Sequence, residues 1–218
     1  MVGQERRFAA RVLALGGVVG PVQFVWITIL CAVLRPGYSH THHFVSELGA
    51  TGTAHAWVMN YLGFVAAGLL LCCFGLSAGA MVQPGRGALI GPALVTIFGL
   101  GVALSGLFSC DPGCPRANGS TQNLIHDRLA PLTFLAGSLG PVFLGLHFRR
   151  LPHLRRLWLY SVASGALGLV LLAAVASSLE SRELTGLWQR LLLAVLFSWC
   201  ATVSLKLFHA PGDVASSA

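Results

Sequence analysis

Hydrophobic and polar positions along this chain do not alternate; they segregate. Long apolar runs carry almost no charge, and short stretches between them hold nearly all of it. A helix needs roughly 20 mostly apolar residues to cross a bilayer. Six runs meet that length, at about 12–34, 55–82, 88–108, 127–148, 157–178 and 187–208. The pattern predicts an all-α, polytopic membrane protein, a six-transmembrane-helix bundle. No Ser-rich or charged linker divides the chain, so residues 1–218 read as a single domain. The first run has a basic start but exceeds the 7–15 residues of a signal-peptide core, and no small-x-small site follows it. It reads as a retained helix.

Composition agrees: hydrophobic residues make up 55% and charged ones 10%, against about 25% charged in a soluble domain. The net charge of +7 raises the question of nucleic acid. The basic residues form no patch interleaved with aromatics, however, and sit beside apolar runs, where arginine sets topology and meets anionic lipid. Membrane lipid is the expected partner and nucleic acid is not; the sequence names no protein partner. With the amino terminus inside, the inner side holds Arg6, Arg7, Arg11, Arg86, Arg149, Arg150, Arg155, Arg156 and Lys206. The outer side holds Arg35, Arg116, Arg128, Arg182 and Arg190, giving 9 against 5. Both termini are therefore expected in the cytoplasm of a multi-pass protein of the cell (plasma) membrane. Gly16/Gly20, Gly75/Gly79 and Gly87/Gly91 have the spacing that lets helices approach closely, and Pro21, Pro92 and Pro141 are expected to kink their helices.

Candidate chemistry gathers on the outer face. Glu47, Asp111, Asp127, Glu180 and Glu183, five of the 7 acidic residues, fall there, although acidic residues contribute little to orientation. Ser46, Glu47, Asp111, His126 and Asp127 are the candidate site residues, expected around one outward-facing pocket. Glu47 or Asp127 would act as general base, alone or by orienting His126; a divalent metal held by His126 and carboxylates is a related option. The bland alternative makes Asp127 a carboxylate opening the fourth helix at its positive end, with Ser46 and Glu47 bonding backbone near Gly49. Cys110 and Cys114 flank an Asp-Pro-Gly turn in an oxidising compartment, which points to a small disulfide; two free thiols are the alternative. Cys31, Cys72, Cys73 and Cys200 lie in apolar runs and read as small core residues. His40, His42 and His43 are neighbours that could bind metal or simply sit solvated. No Asp, Glu, Lys or Arg falls in the middle of a span, which argues against an ion-coupled transporter.

Tyr38…His43-Phe-Val-Ser46-Glu47-Leu-Gly49-Ala50, then Phe108-Ser-Cys110-Asp111-Pro-Gly113-Cys114-Pro115…His126-Asp127, resembles the prokaryotic membrane family catalogued as domain of unknown function 998. The likeness runs from about Val12 to Phe208. It implies six membrane helices and no agreed activity. A fainter similarity links the Ser-acidic-x-Gly block to the eukaryotic Frag1/DRAM/Sfk1 group. Two functions follow as expectations: a lipid-processing membrane hydrolase with an outward-facing site, or a non-enzymatic lipid binder, sensor or accessory module.

Overall fold

The computed structural model describes residues 2–81, 87–116 and 118–209; Val82 and Arg86, used above for a helix end and for orientation, lie outside them. The described residues are mostly helical, with no strand among them. Among them, six helices are long and apolar enough to cross a membrane: Gln4–Val33, Val58–Met81, Ile90–Leu107, Thr121–Phe148, Arg155–Ser177 and Thr185–Phe208. The first is built from α1 (Val2–Ala14) and α2 (Gly16–Val33), and the second opens as a π-helix over Val58–Val65 before continuing as α3 (Ala66–Met81). Then come α4 (Ile90–Leu107), α5 (Thr121–Phe148), α6 (Trp158–Ser177) and α7 (Thr185–Phe208). This is a multi-pass membrane protein. Its outer surface is apolar where a soluble protein would be charged: Trp26, Val33, Leu76, Leu132, Leu159 and Val170 are all exposed, as helices facing lipid require.

Two boundaries differ from expectation. Helix α1 reaches back through Arg11, Arg7 and Arg6, the basic start of the run expected from residue 12. Those residues give the helix a polar face beyond the apolar run, and only Leu15 separates it from α2. Helix α5 starts six residues before Asp127. Ser120 is its N-cap, its Oγ accepting from Asn123 N at 3.2 Å. Asp127 therefore does not open the helix but sits in its second turn. The polar run Thr121-Gln122-Asn123 masked this start, because capping chemistry and loop chemistry use the same residue types.

The helices close into a ring. Each of α2 to α6 packs on the next, α6 packs on α7, and α7 returns to α2, with α1 lying against α3 and α7. Tight seams depend on glycine. A Cβ on Gly99 would lie 2.5 Å from Cys72 N, and one on Gly68 would strike the Ala103 backbone, so α3 and α4 meet at van der Waals distance only because both lack side chains. The Gly16/Gly20 pair does the same between α2 and α3. In the other two expected pairs only Gly75 and Gly91 are crowded, while Gly79 has room and Gly87 sits in a left-handed turn. Pro21 and Pro141 fall inside α2 and α5, joined by Pro131, whereas Pro92 is the third residue of α4. There its missing N–H costs nothing, since first-turn donors have no intrahelical acceptor.

Inside the ring, Phe24 of α2 meets Phe64 and Phe197 edge-on, at centroid distances of 5.2 and 5.5 Å. The Trp199 indole N–H donates to Ser161 Oγ at 2.9 Å, satisfying a buried polar edge between α7 and α6. These aromatics fill one part of the interior. The space next to them is not filled.

Candidate functional site at the disulfide end of the bundle

At the end where α4 stops and α5 begins, three segments lock together. The first is Val45–Gly49, a 3-10 turn carrying Ser46 and Glu47. Glu47 Oε1 accepts from Phe44 N at 3.1 Å, which closes the turn on itself. The second is the Asp-Pro-Gly turn, whose flanking cysteines are joined: Cys110 and Cys114 form a disulfide with Cα atoms 5.0 Å apart. The third is the start of α5. Asp111 grips it with both oxygens, Oδ2 accepting from Ser120 N at 2.6 Å and Oδ1 from Ser120 Oγ at 2.9 Å.

Asn123 is the hub of this end. It is almost wholly buried; its Oδ1 accepts from Asp111 N at 3.0 Å, and its Nδ2 donates to Pro115 O at 2.8 Å and Asn118 O at 2.7 Å. An amide alone can satisfy donor and acceptors together in this way. Sequence reasoning passed over it, though Ser120-x-x-Asn123 carries the spacing of a helix start.

Three arginines expected on the outer side staple the loops. Arg182 donates to Gly113 O and Cys114 O, both at 3.0 Å, lies 3.7 Å from Glu47 Oε1, and stacks over Phe44. Arg190 donates to His43 O at 3.0 Å, Gly186 O at 2.8 Å, His40 Nδ1 at 3.2 Å and the Tyr38 hydroxyl. Arg35 donates to Glu47 O. His43 Nδ1 accepts from Ser39 N, and His42 bonds Ser39 and Thr41. The three loop histidines thus do not share one partner: His42 and His43 bond Ser39 and His40 bonds Arg190. Among the described residues no three His, Cys, Asp or Glu side chains gather where one metal ion could be held.

Below this collar lies a cavity of about 340 Å³, within the range of about 300–1,000 Å³ of ligand pockets. Its lining is mixed: polar Ser46, Arg116, Asn123, His126, Asp127 and Gln189 stand beside Phe44, Val45 and Pro115 of the collar, and the helices add Phe24, Phe64, Val102, Leu172, Leu193 and Phe197 together with Ser105 and Thr133. Ser46, His126 and Asp127 therefore meet at one cavity, together with both disulfide cysteines. Glu47 and Asp111 do not line it; their carboxylates are held by the collar contacts above. Gln189, unremarked in the sequence, also fixes the collar, its Oε1 accepting from Val45 N at 2.8 Å.

His126 is the residue best placed for chemistry. It is buried, and its Nδ1 lies 2.7 Å from Phe108 O. A carbonyl oxygen only accepts, so Nδ1 carries the proton and Nε2 keeps its lone pair. The orienting group is a backbone carbonyl, not Glu47 or Asp127 as expected. No hydrogen bond joins Ser46 to His126 among the described residues; Ser46 Oγ instead sits 3.5 Å from Cys114 Sγ. Asp127 has no ion-pair or hydrogen-bond partner among the described residues.

One family profile matches residues 18–206. The chain belongs to the family described as Protein of unknown function (DUF998). That match spans all six helices, from within α2 to near the end of α7, and includes the collar and the cavity. No curated protein and no solved structure matches the chain, so the reading of this DUF998 member rests on its own geometry.

Proposed function

We propose that this protein holds a single-chain amphiphile, a lipid or isoprenoid, with its chain in the interhelical cavity and its polar head at Ser46, Asn123, His126, Asp127 and Gln189. The observation that carries this is a single cavity that combines a cluster of polar side chains with a larger aromatic and aliphatic wall. A water-soluble metabolite would leave the phenylalanine floor unused. A pure hydrocarbon would make no use of the rim, where the Asp127 carboxylate has no hydrogen-bond or ion-pair partner among the described residues and His126 Nε2 keeps its lone pair. Only a molecule with both characters satisfies both ends. The arginine asymmetry supports an outward-facing rim at the plasma membrane, and the disulfide suits that compartment.

Native mass spectrometry in mild detergent tests the proposal. Wild-type protein is expected to retain a stoichiometric amphiphile. Leu193→Trp, which fills the apolar part, is expected to lose it while the folded fraction is unchanged. A wild type that carries no adduct, or a Leu193→Trp variant that carries the same one, refutes the proposal.

The geometry of His126 favours a second reading, hydrolysis within the head group. In that reading Nε2 takes a proton from water as the water attacks an ester carbonyl, and returns it to the alkoxide as the acyl C–O bond breaks, releasing acid and alcohol while Nδ1–H stays on the Phe108 carbonyl. His126→Gln would then keep the bound amphiphile and lose its turnover. Intact adduct at equal occupancy in both proteins, with no product in either, leaves binding as the function.

A further inference from the structure

The opposite end of the bundle carries a second concave site. Helix α5 is 28 residues long, about 42 Å at 1.5 Å per residue, so its last residues are a membrane's thickness away from the disulfide collar. There Leu146, Arg149, Arg150, Arg155 and Trp158 enclose an open cleft of about 640 Å³. The loop that builds it is pinned rather than loose. Leu151 and Leu154 are buried in the main core, and backbone bonds close successive turns from Arg150 N to His147 O, Leu151 N to Phe148 O and Leu154 N to Leu151 O. Arg149 is set against the Trp158 ring at 4.8 Å.

The charge in this cleft is unbalanced. No acidic residue occurs between Leu146 and Trp158, and no hydrogen bond or ion pair engages the guanidinium of Arg149, Arg150 or Arg155 among the described residues. At the other end Arg35, Arg182 and Arg190 are each engaged on backbone or side-chain acceptors, and Arg116 and Arg128, which have no such partner among the described residues, do not meet in one cleft with them. Three exposed guanidinium forks without acceptors around one hollow, Arg149 held against the Trp158 ring, supply the donors that phosphate oxygens take. The rim adds an apolar element, because Leu146 is half exposed and Trp158 has the ring type that sits at head-group level.

We infer that this cleft binds the phosphate of an anionic lipid head group, with the arginines on the phosphate and Leu146 and Trp158 against the start of the acyl chains. Arg155 and Arg156 make the test sharp. They are adjacent, exposed and equally charged, but only Arg155 lines the cleft.

Binding is measured by tryptophan fluorescence on full-length protein in neutral detergent. The probes are short-chain phosphatidylglycerol, short-chain phosphatidylcholine and inorganic phosphate. Phosphatidylglycerol is expected to bind most tightly. Arg155→Gln should weaken it about fivefold, the equivalent of one surface basic residue, and Arg156→Gln should change it less than twofold. Adding Arg149→Gln to Arg155→Gln should deepen the loss. Equal weakening by Arg155→Gln and Arg156→Gln would mean a diffuse field rather than a site and would overturn the inference. So would inorganic phosphate binding as tightly as the lipid, or phosphatidylcholine matching phosphatidylglycerol. None of these outcomes depends on the cavity at the disulfide end, which the substitutions do not touch.

Discussion

Replacing Asn123 by alanine tests whether the collar is held by the hydrogen bonds described or merely by packing around them. The side chain makes three bonds, to Asp111 N, Pro115 O and Asn118 O, and is 1% exposed, so water cannot take over its role in place. At about 1 kcal/mol net for each bond, the substitution should cost about 3 kcal/mol. In a chain of this size a kilocalorie corresponds to about 2–4 °C in melting temperature, giving an expected fall of about 6–12 °C. Intrinsic fluorescence during heating in detergent reads this directly. Two companions separate the causes. Asn123→Asp keeps the size and the acceptor but turns an oxygen toward two carbonyls, and it should be at least as damaging as alanine. Gln122→Ala also removes two bonds, to Leu107 O and Ser109 Oγ, but Gln122 is exposed, so water replaces them and the loss should stay below about 2 °C. An Asn123→Ala protein that melts within 2 °C of wild type would show that the three bonds carry no net stability and that the collar is not organised around this residue.

Three further outcomes follow from the same structure. Cys110→Ser opens a loop of only a few residues, for which chain entropy gives about 2 kcal/mol; the melting temperature should fall by about 4–8 °C, and reductant should bring wild type to the same value. Gly99→Val drives a branched side chain into the Cys72 backbone and should prevent recovery of monodisperse protein on size exclusion, while the neighbouring lipid-facing Leu100→Val should be recovered normally. His40 accepts from Arg190 and is held below its usual pKa by burial and by that arginine's charge. Its contribution to stability is complete above about pH 6.5 and is lost as pH falls toward the folded-state value, so the melting temperature should drop on acidification from pH 7.5 to 5, with a shallower slope in His40→Gln.

The six spans were legible because charge exclusion from hydrocarbon is a long-range pattern, visible over 20 residues at once. Their ends were less so. The first turns of α5 are polar, and α1 is basic, so hydropathy stopped short in both places although the backbone did not. The meeting of Ser46, His126 and Asp127 followed from topology, since alternating helices bring 46–49, 110–114 and 120–127 to one end. What the sequence could not give was direction. Glu47 and Asp111 differ from Asp127 by which way the side chain turns, and that depends on Arg182, Ser120 and Asn123, partners that are far apart in the chain or unremarkable in composition. Gln189 was hidden for the same reason: its 2.8 Å bond to Val45 N spans 144 residues.

The acidic bias of one face thus divides into two parts with different physical roles. Glu47 satisfies the Phe44 amide and faces Arg182, and Asp111 accepts from both the amide and the hydroxyl of Ser120, the N-cap of α5. Both stabilise an irregular backbone that would otherwise leave polar groups exposed near hydrocarbon, where each costs several kcal/mol. Asp127 does neither. A carboxylate with no partner among the described residues, beside a histidine whose tautomer is fixed and at the rim of an apolar cavity, gains nothing for the fold by being there. Its neutral counterpart, Asp127→Asn, should therefore melt at the wild-type temperature within about 2 °C and change instead which head groups are retained, with cationic or hydrogen-bond-donating heads losing most. A large melting shift with unaltered retention would place Asp127 in the scaffold with Glu47 and Asp111.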